Sequence, residues 1–201
     1  MYRLSFIRRR LAEVRPQLFA ADRSTRQAAV AVILRDQAGD TDILFIKRAV
    51  KAGDPWSGHM AFPGGHLESG DADLRAAAER ETLEEIGLDL SATEYLGALD
   101  HQRAMPRGRT LNMLIAPHVF AIEGDPVPAL NFEVQEVVWT SLSLLASNAC
   151  HDTETRPMAG TPTVFNGYRL ERGHFVWGLT YRMLKSFFST LDPAWQPPPE
   201  R

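Results

Sequence analysis

The chain has one cysteine, Cys150, in 201 residues. No internal disulfide can form, and with no C-x-x-C pair neither a cysteine-held zinc nor a dithiol exchange centre is encoded. A reducing cytoplasm is the compartment this predicts. Long hydrophobic runs are missing too: nothing approaches the roughly 18 apolar residues that span a bilayer, so no membrane partner is expected. Nor is there an excess of positive charge. Lys and Arg total 22 against 25 Asp and Glu, which leaves no basic footprint for binding nucleic acid by phosphate neutralisation. The six histidines show no H-E-x-x-H or other zinc spacing. Neither G-x-x-x-x-G-K-[ST] nor G-x-S-x-G occurs, which argues against a P-loop NTPase and a serine hydrolase.

The length suits one domain with a proper core, with decorations. Residues 1–27 read as a helix and a link. Arg3, Arg8, Arg9, Arg10 and Arg15 alternate with Leu4, Phe6, Ile7, Leu11 and Val14, and Pro16 stops a helix over 2–15. Transit peptides share that basic amphipathic pattern, but Glu13 and Asp22 interrupt it, which favours an ordinary surface helix. Residues 28–190 read as the main domain. Apolar runs at 28–34 and 43–47 predict two buried strands, with further strands at 95–99, 111–121 and 134–140. Between them, 48–70 is rich in Gly, Pro and Asp and predicts a long loop of the kind that carries function. Leu74, Ala77, Ala78, Glu81 and Glu85 fall at helical spacing over 73–86, with Asp71 or Asp73 as N-cap and Gly87 as the stop. A last helix is predicted at 174–190. The proline-rich 191–201 reads as a disordered tail.

The chemistry concentrates in Phe62-Pro63-Gly64-Gly65-His66-Leu67-Glu68-Ser69-Gly70-Asp71 and the helix ending Arg80-Glu81-Thr82-Leu83-Glu84-Glu85-Ile86-Gly87-Leu88. Glu81 and Glu85 are four apart and share a helix face that Glu84 borders. Two carboxylates 4 Å apart repel by about 4 kcal/mol at an effective dielectric of 20, so the cluster calls for a cation. An oxygen-only donor set favours a hard ion, Mg²⁺ or Mn²⁺. The glycine pair allows close backbone approach, and Arg80 can orient a carboxylate through a bidentate pair. An acidic helix taken alone is usually just a solvated face.

The order Gly-Gly, acid, then R-E-x-x-E-E-x-G-Leu resembles the Nudix box, G-x5-E-x7-R-E-U-x-E-E-x-G-U with U aliphatic. Thr82 departs from the aliphatic position. One extra residue separates the glycines from Arg80, and Asp71 stands where the first Glu is expected. That spacing and the Asp look like the coenzyme A diphosphatase branch. So do Gly58-His59-Met60-Ala61-Phe62-Pro63-Gly64-Gly65, Asn131-Phe132-Glu133-Val134 and Val176-Trp177-Gly178-Leu179-Thr180. Asp54 departs from the branch, which has a basic residue there.

The resemblance implies a Nudix α/β/α sandwich, a mixed sheet flanked by helices, that hydrolyses a diphosphate linkage in a small nucleotide-type substrate. Coenzyme A or an acyl-CoA leads. ADP-ribose, dinucleoside polyphosphates and nucleoside triphosphates stand beside it, as does a catalytically silent nucleotide-binding module. It implies Mg²⁺ or Mn²⁺ on Glu81, Glu84, Glu85 and Asp71, catalytic roles for Glu84, Arg80 and Glu133, and Glu136 as a second acid beside Glu133. Substrate contacts fall to Gly64, Gly65, Trp56, Arg48 and Arg109, with Lys51, Arg103 and Arg107 as further cations. A homodimer is compatible with the sequence.

Overall fold

The computed structural model describes residues 2–53, 56–104, 112–158 and 160–200. Helix α1 (Leu4–Glu13) leads into β1 (Arg26–Gln37) and β2 (Asp40–Arg48), then β3 (Met60–Ala61), β4 (Gly64–His66) and α2 (Leu74–Ile86). There follow β5 (Glu94–Ala98), β6 (Gln102–Arg103), β7 (Met113–Ile122), β8 (Val134–Ser141) and the short α3 (Leu142–Ala146). The chain continues through β9 (His151–Met158), β10 (Thr161–Arg169) and β11 (Phe175–Trp177) into α4 (Gly178–Leu191).

Strand β1 is buried on both faces, which is why its sequence is nearly continuous in apolar residues. It runs parallel to β7 from Arg26↔Met113 to Arg35↔Ile122, and every other pairing in the sheet is antiparallel. At its far end β1 pairs with β2 (Leu34↔Ile43); at its near end β2 has diverged and β4 pairs there instead (Ala28↔His66, Val30↔Gly64). The split between β2 and β4 is where the glycine-rich segment enters the sheet.

Ala29, Ala31 and Ile33 of β1 pack against Ala77, Ala78 and Ile86 of α2 on one face. Val32 and Leu34 face the other way, onto Ile7 and Leu11 of α1 and Met183, Leu184 and Phe187 of α4. The expected mixed sheet flanked by helices is thus the architecture found. No described helix is long and apolar enough to cross a membrane.

Three differences from the sequence reading have physical causes. The segment 48–70 is not one loop: β3 and β4, two and three residues long, pair with β2 and β1. The final helix starts at Gly178, not residue 174, because Phe175–Trp177 pair with Gly167–Arg169 of β10. And within the segment read as a tail, Trp195 packs at a tilt against Phe188 at 5.2 Å, and its indole N–H donates to the Ala146 carbonyl at 2.8 Å.

Candidate functional site

Helix α2 is fixed at both ends. The Asp73 carboxylate accepts from the Ala76 N–H at 2.8 Å, so Asp73 rather than Asp71 is the N-cap. Gly87 ends the helix at φ 69°, a left-handed conformation that favours glycine, and its N–H returns to the Leu83 carbonyl. Thr82, where the box pattern has an aliphatic residue, is fully buried and satisfies its hydroxyl on the Ala78 carbonyl at 2.7 Å. The polar atom is therefore tolerated without rearranging the core.

Asp71 is instead the partner of Arg80. The guanidinium binds both Asp71 oxygens, Nε–Oδ1 at 2.9 Å and Nη2–Oδ2 at 3.1 Å. It also reaches the His66 carbonyl, Glu81 at 3.0 Å and Glu84 at 3.3 Å. These charge-assisted bonds hold the Asp71 carboxyl below its usual range and raise Arg80 above its own. Arg80 thereby ties the glycine-rich strand, the loop at Asp71 and two carboxylates into one unit.

Glu85 is 2 % exposed. Its Oε2 accepts the Gly64 N–H at 2.9 Å. Burial pushes its carboxyl up to about 8; the Gly64 bond and the Arg48 charge oppose this, while Glu81 and Glu133 add to it. Burial also raises Glu81. The two glycines act differently. A Cβ on Gly65 would overlap the Glu81 carboxylate, whereas on Gly64, at φ 149°, it would overlap the Ala29 carbonyl and come within 2.6 Å of Val30 Cα. Gly64 lets β4 lie on β1; Gly65 leaves room for Glu81.

A second segment closes on the same carboxylates. Ala129 N–H donates to the Ile86 carbonyl and Asn131 N–H to the Glu85 carbonyl. The Asn131 side-chain oxygen takes the Glu133 N–H at 2.8 Å, and the Glu133 carbonyl takes the Ala49 N–H at 2.7 Å. Glu133 is thus brought to Glu85. Glu136 is not: it pairs with Arg172 at 2.6 Å and lies 3.2 Å from the His174 ring.

Among the other candidates, Arg48 lies on the Glu85 side of the site, its N–H bonded to the His59 carbonyl at 3.0 Å. Trp56 is half-exposed in the preceding loop. Phe62 is a core residue stacked on Phe45 at 5.2 Å. Asp54, Arg107 and Arg109 lie outside the described residues. Sequence reasoning passed over Arg26, which donates to His66 Nε2 at 2.9 Å beside Gly65; it belongs to no motif.

Among the described residues no three acidic, histidine or cysteine side chains are already gathered at ligating distance, and Glu81 and Glu84 turn to Arg80. Yet all nearby donors are oxygens, and a carboxyl as buried as Glu85, beside two more acids, is what a divalent cation would return to the ionised form. The residues fit a hard cation such as Mg²⁺ or Mn²⁺.

The NUDIX domain family matches residues 25–159. A protein of Salmonella newport (strain SL254), described as "Uncharacterized Nudix hydrolase NudL", is 31 % identical over 176 residues, covering 86 % of each chain. A Schizosaccharomyces pombe protein, "Uncharacterized protein C14C4.10c", is 34 % identical over 117 residues, which are 57 % of this chain and only 35 % of that protein. Among solved structures, a MutT/nudix family protein from Enterococcus faecalis superposes with a TM-score of 0.55 at 19 % identity, covering 88 % of this chain and 66 % of the other. A C. elegans Ap4A hydrolase binary complex gives 0.50 at 22 % identity, with 61 % and 85 % covered. The structures share the fold. The chain belongs to the Nudix family and is a Nudix hydrolase, an enzyme that cleaves pyrophosphate bonds.

Proposed function

We propose that the protein hydrolyses coenzyme A or an acyl-CoA to 3',5'-ADP and 4'-(acyl)phosphopantetheine. One observation carries the reading. Three segments distant in sequence, each resembling the coenzyme A diphosphatase branch, meet around the box. Phe62–Gly65 carries Glu85 through the Gly64 amide. Asn131–Val134 is bonded to the Glu85 carbonyl. Trp177 of the terminal segment stacks edge-on with His59 at 4.8 Å, and Thr180 donates to the Met60 carbonyl at 3.4 Å.

In this reading Glu81 and Glu85, with Glu84, hold Mg²⁺ or Mn²⁺, which when bound polarises the diphosphate and acidifies water. Arg80, held by Asp71, pairs with Glu81 and Glu84, and both carboxylates would turn from it to take the cation. Asp71 contributes through Arg80, whose guanidinium takes both its oxygens. Glu133, tied down at its own N–H and carbonyl, accepts the proton of the attacking water. Gly64 and Gly65 let the backbone approach the phosphates, with Arg48 and Arg109 as cationic contacts and Trp56 as a stacking surface. One water is consumed, the P–O–P bridge breaks, and each fragment keeps one phosphoryl group.

The test is a panel of coenzyme A, ADP-ribose, diadenosine polyphosphates and nucleoside triphosphates, with Mg²⁺ or chelator, products identified by mass. Metal-dependent 3',5'-ADP from coenzyme A is expected. Turnover of another member alone would replace the substrate, and nucleotide binding without any turnover would replace the enzyme by a binding module.

A further inference from the structure

Strand β8 has a neighbour on one side only. It pairs with β2 from Asp42↔Ser141 to Arg48↔Val134, and among the described residues no backbone bond leads from 135–140 to any other segment. The groups left open follow from β2. Its Arg48 N–H donates to the His59 carbonyl, on the β3 side, and the next N–H, of Ala49, to the Glu133 carbonyl, on the β8 side. Backbone groups alternate in direction along a strand, so Phe45 and Lys47 also turn to β8. Their partners Val138 and Glu136 are therefore bonded to β2, and Val137 and Trp139 point their N–H and C=O groups outward. The irregularity in the pairing, between Lys47 and Arg48, falls at the entry of β8 and leaves 136–141 regular.

An open edge is a template for another strand, and natural sheets blunt it with charge, proline or bulges. The free edge of β9 is blunted, since Pro157 stands among Asp152, Glu154 and Arg156. Strand β5 is five residues long and breaks register between Tyr95 and Gly97. Strand β8, Val-Gln-Glu-Val-Val-Trp-Thr-Ser, has no proline, no lysine and a single charge, Glu136, which is already paired with Arg172. Val137, Val138 and Trp139 all stay partly exposed. Val137 and Trp139 point to the α2 side, where they line an apolar cleft with Leu44, Leu88 and Val127. Val127 is almost fully exposed. A wetted apolar strip along an open edge marks a surface that a partner covers.

We propose that β8 pairs antiparallel with β8 of a second copy of this chain, about a two-fold axis through Val138. In that register each Val137 lies opposite Trp139 of the other copy. Each such pair exchanges two backbone bonds, four in all. A β-branched residue opposite an aromatic one is a favourable cross-strand pair. Val138 faces its own counterpart in a pair without hydrogen bonds, Glu136 faces Thr140, and no like charges meet. An axis at Val137 sets Trp139 against Gln135, at the irregular end, and an axis at Trp139 sets Val137 against Ser141; both lose the two Val–Trp pairs. The strand is its own complement, which selects a second copy over an unrelated segment. The two sheets then run on into one another, with the apolar clefts on the same face.

Sedimentation or light scattering at micromolar concentration should give twice the 22.5 kDa of one chain. Val137→Pro removes an outward N–H that a single copy does not use, a change edge strands accept. It takes away two of the four central bonds and should weaken the dimer about tenfold or more, with the far-UV spectrum and a cooperative melt retained. In a Cys150→Ser background, Val138→Cys sets two thiols across the axis with Cα atoms about 4.5 Å apart, within disulfide reach. Oxidation should cross-link that variant into a dimer that reduction releases, and should leave Gln135→Cys, which has no counterpart at the axis, uncross-linked. If Val137→Pro loses its fold, the cross-linking pair decides alone. A monomer at these concentrations would leave the edge to an extended segment of another protein and overturn the inference. So would a dimer that Val137→Pro leaves as tight, or Gln135→Cys cross-linking as readily as Val138→Cys.

Discussion

Gly64 and Gly65 are neighbours of the same residue type, and their replacement by alanine should fail in opposite ways. At Gly65 the added Cβ meets only a side chain, the Glu81 carboxylate, which must retreat by about 1 Å to reach ordinary contact. The backbone there is not left-handed, so no conformational strain is added. Misplacing a reacting group by about 1 Å can cost about 10²-fold, or roughly 2.7 kcal/mol of barrier. At Gly64 the Cβ meets the Ala29 carbonyl and Val30 Cα, which belong to the central strand and cannot yield, and φ is 149°. Overpacking and strain together should remove about 2–4 kcal/mol of stability. For a domain of this size that lowers Tm by about 5–15 °C. Thermal melts and Mg²⁺-dependent hydrolysis on both variants separate the two. Gly65→Ala should keep its Tm within a few degrees and lose most activity. If Gly65→Ala retained activity within threefold, or melted as early as Gly64→Ala, the assignment of Gly65 to Glu81 would be wrong.

Glu85→Gln should lower turnover by about 10² or more through loss of a metal-linked charge. Because it removes a buried acid, its Tm in chelator should match or exceed wild type; near-normal turnover would contradict the role. His118 is 8 % exposed, bonds Tyr95 at 2.9 Å through Nδ1 and is pushed down to about 4 by burial. The unfolded chain takes up that proton first, near 6.5. The stabilisation is therefore complete above about 6.5 and is lost as pH falls toward 4, by up to about 3 kcal/mol. Denaturant midpoints between pH 7 and 4.5 should fall less steeply in His118→Gln, and parallel slopes would refute this. Trp195→Ala should cost about 2–3 kcal/mol by losing its tilted ring contact with Phe188 and its bond to Ala146, seen as a Tm drop of about 4–10 °C with hydrolysis retained.

The parts legible in the sequence were those written in local periodicity. β1 and β2 announce themselves as apolar runs because both faces are buried, and α2 by its three- and four-residue spacing between Asp73 and Gly87. What was missed depends on distant pairing. β9 and β10 carry Asp152, Glu154, Arg156 and Thr163, too polar to read as core strands, and the available signal was the β-branched Thr153, Thr155 and Thr161 around Gly160. β3 and β4 are too short for any period. Phe175–Trp177 fits a helix by spacing until β10 claims its backbone. At the site the spacing of Glu81, Glu84 and Glu85 was plain, but their unequal burial was not: Glu85 lies under the Gly64 amide while Glu84 is over half exposed. Glu133 and Glu136 were equivalent in sequence, and the Asn131 and Arg172 contacts separate them.

The proposed reaction is attack of water on a phosphorus of a nucleotide diphosphate at this carboxylate cluster. Turnover of coenzyme A with Mg²⁺ in oxygen-18 water, followed by mass analysis of both products, tests it most directly. Expected are equal amounts of 3',5'-ADP and 4'-phosphopantetheine, one heavy oxygen in the phosphate of one of them, and no product with chelator or in Glu85→Gln. Cleavage elsewhere in the molecule, product without heavy oxygen, or turnover indifferent to chelator would contradict it.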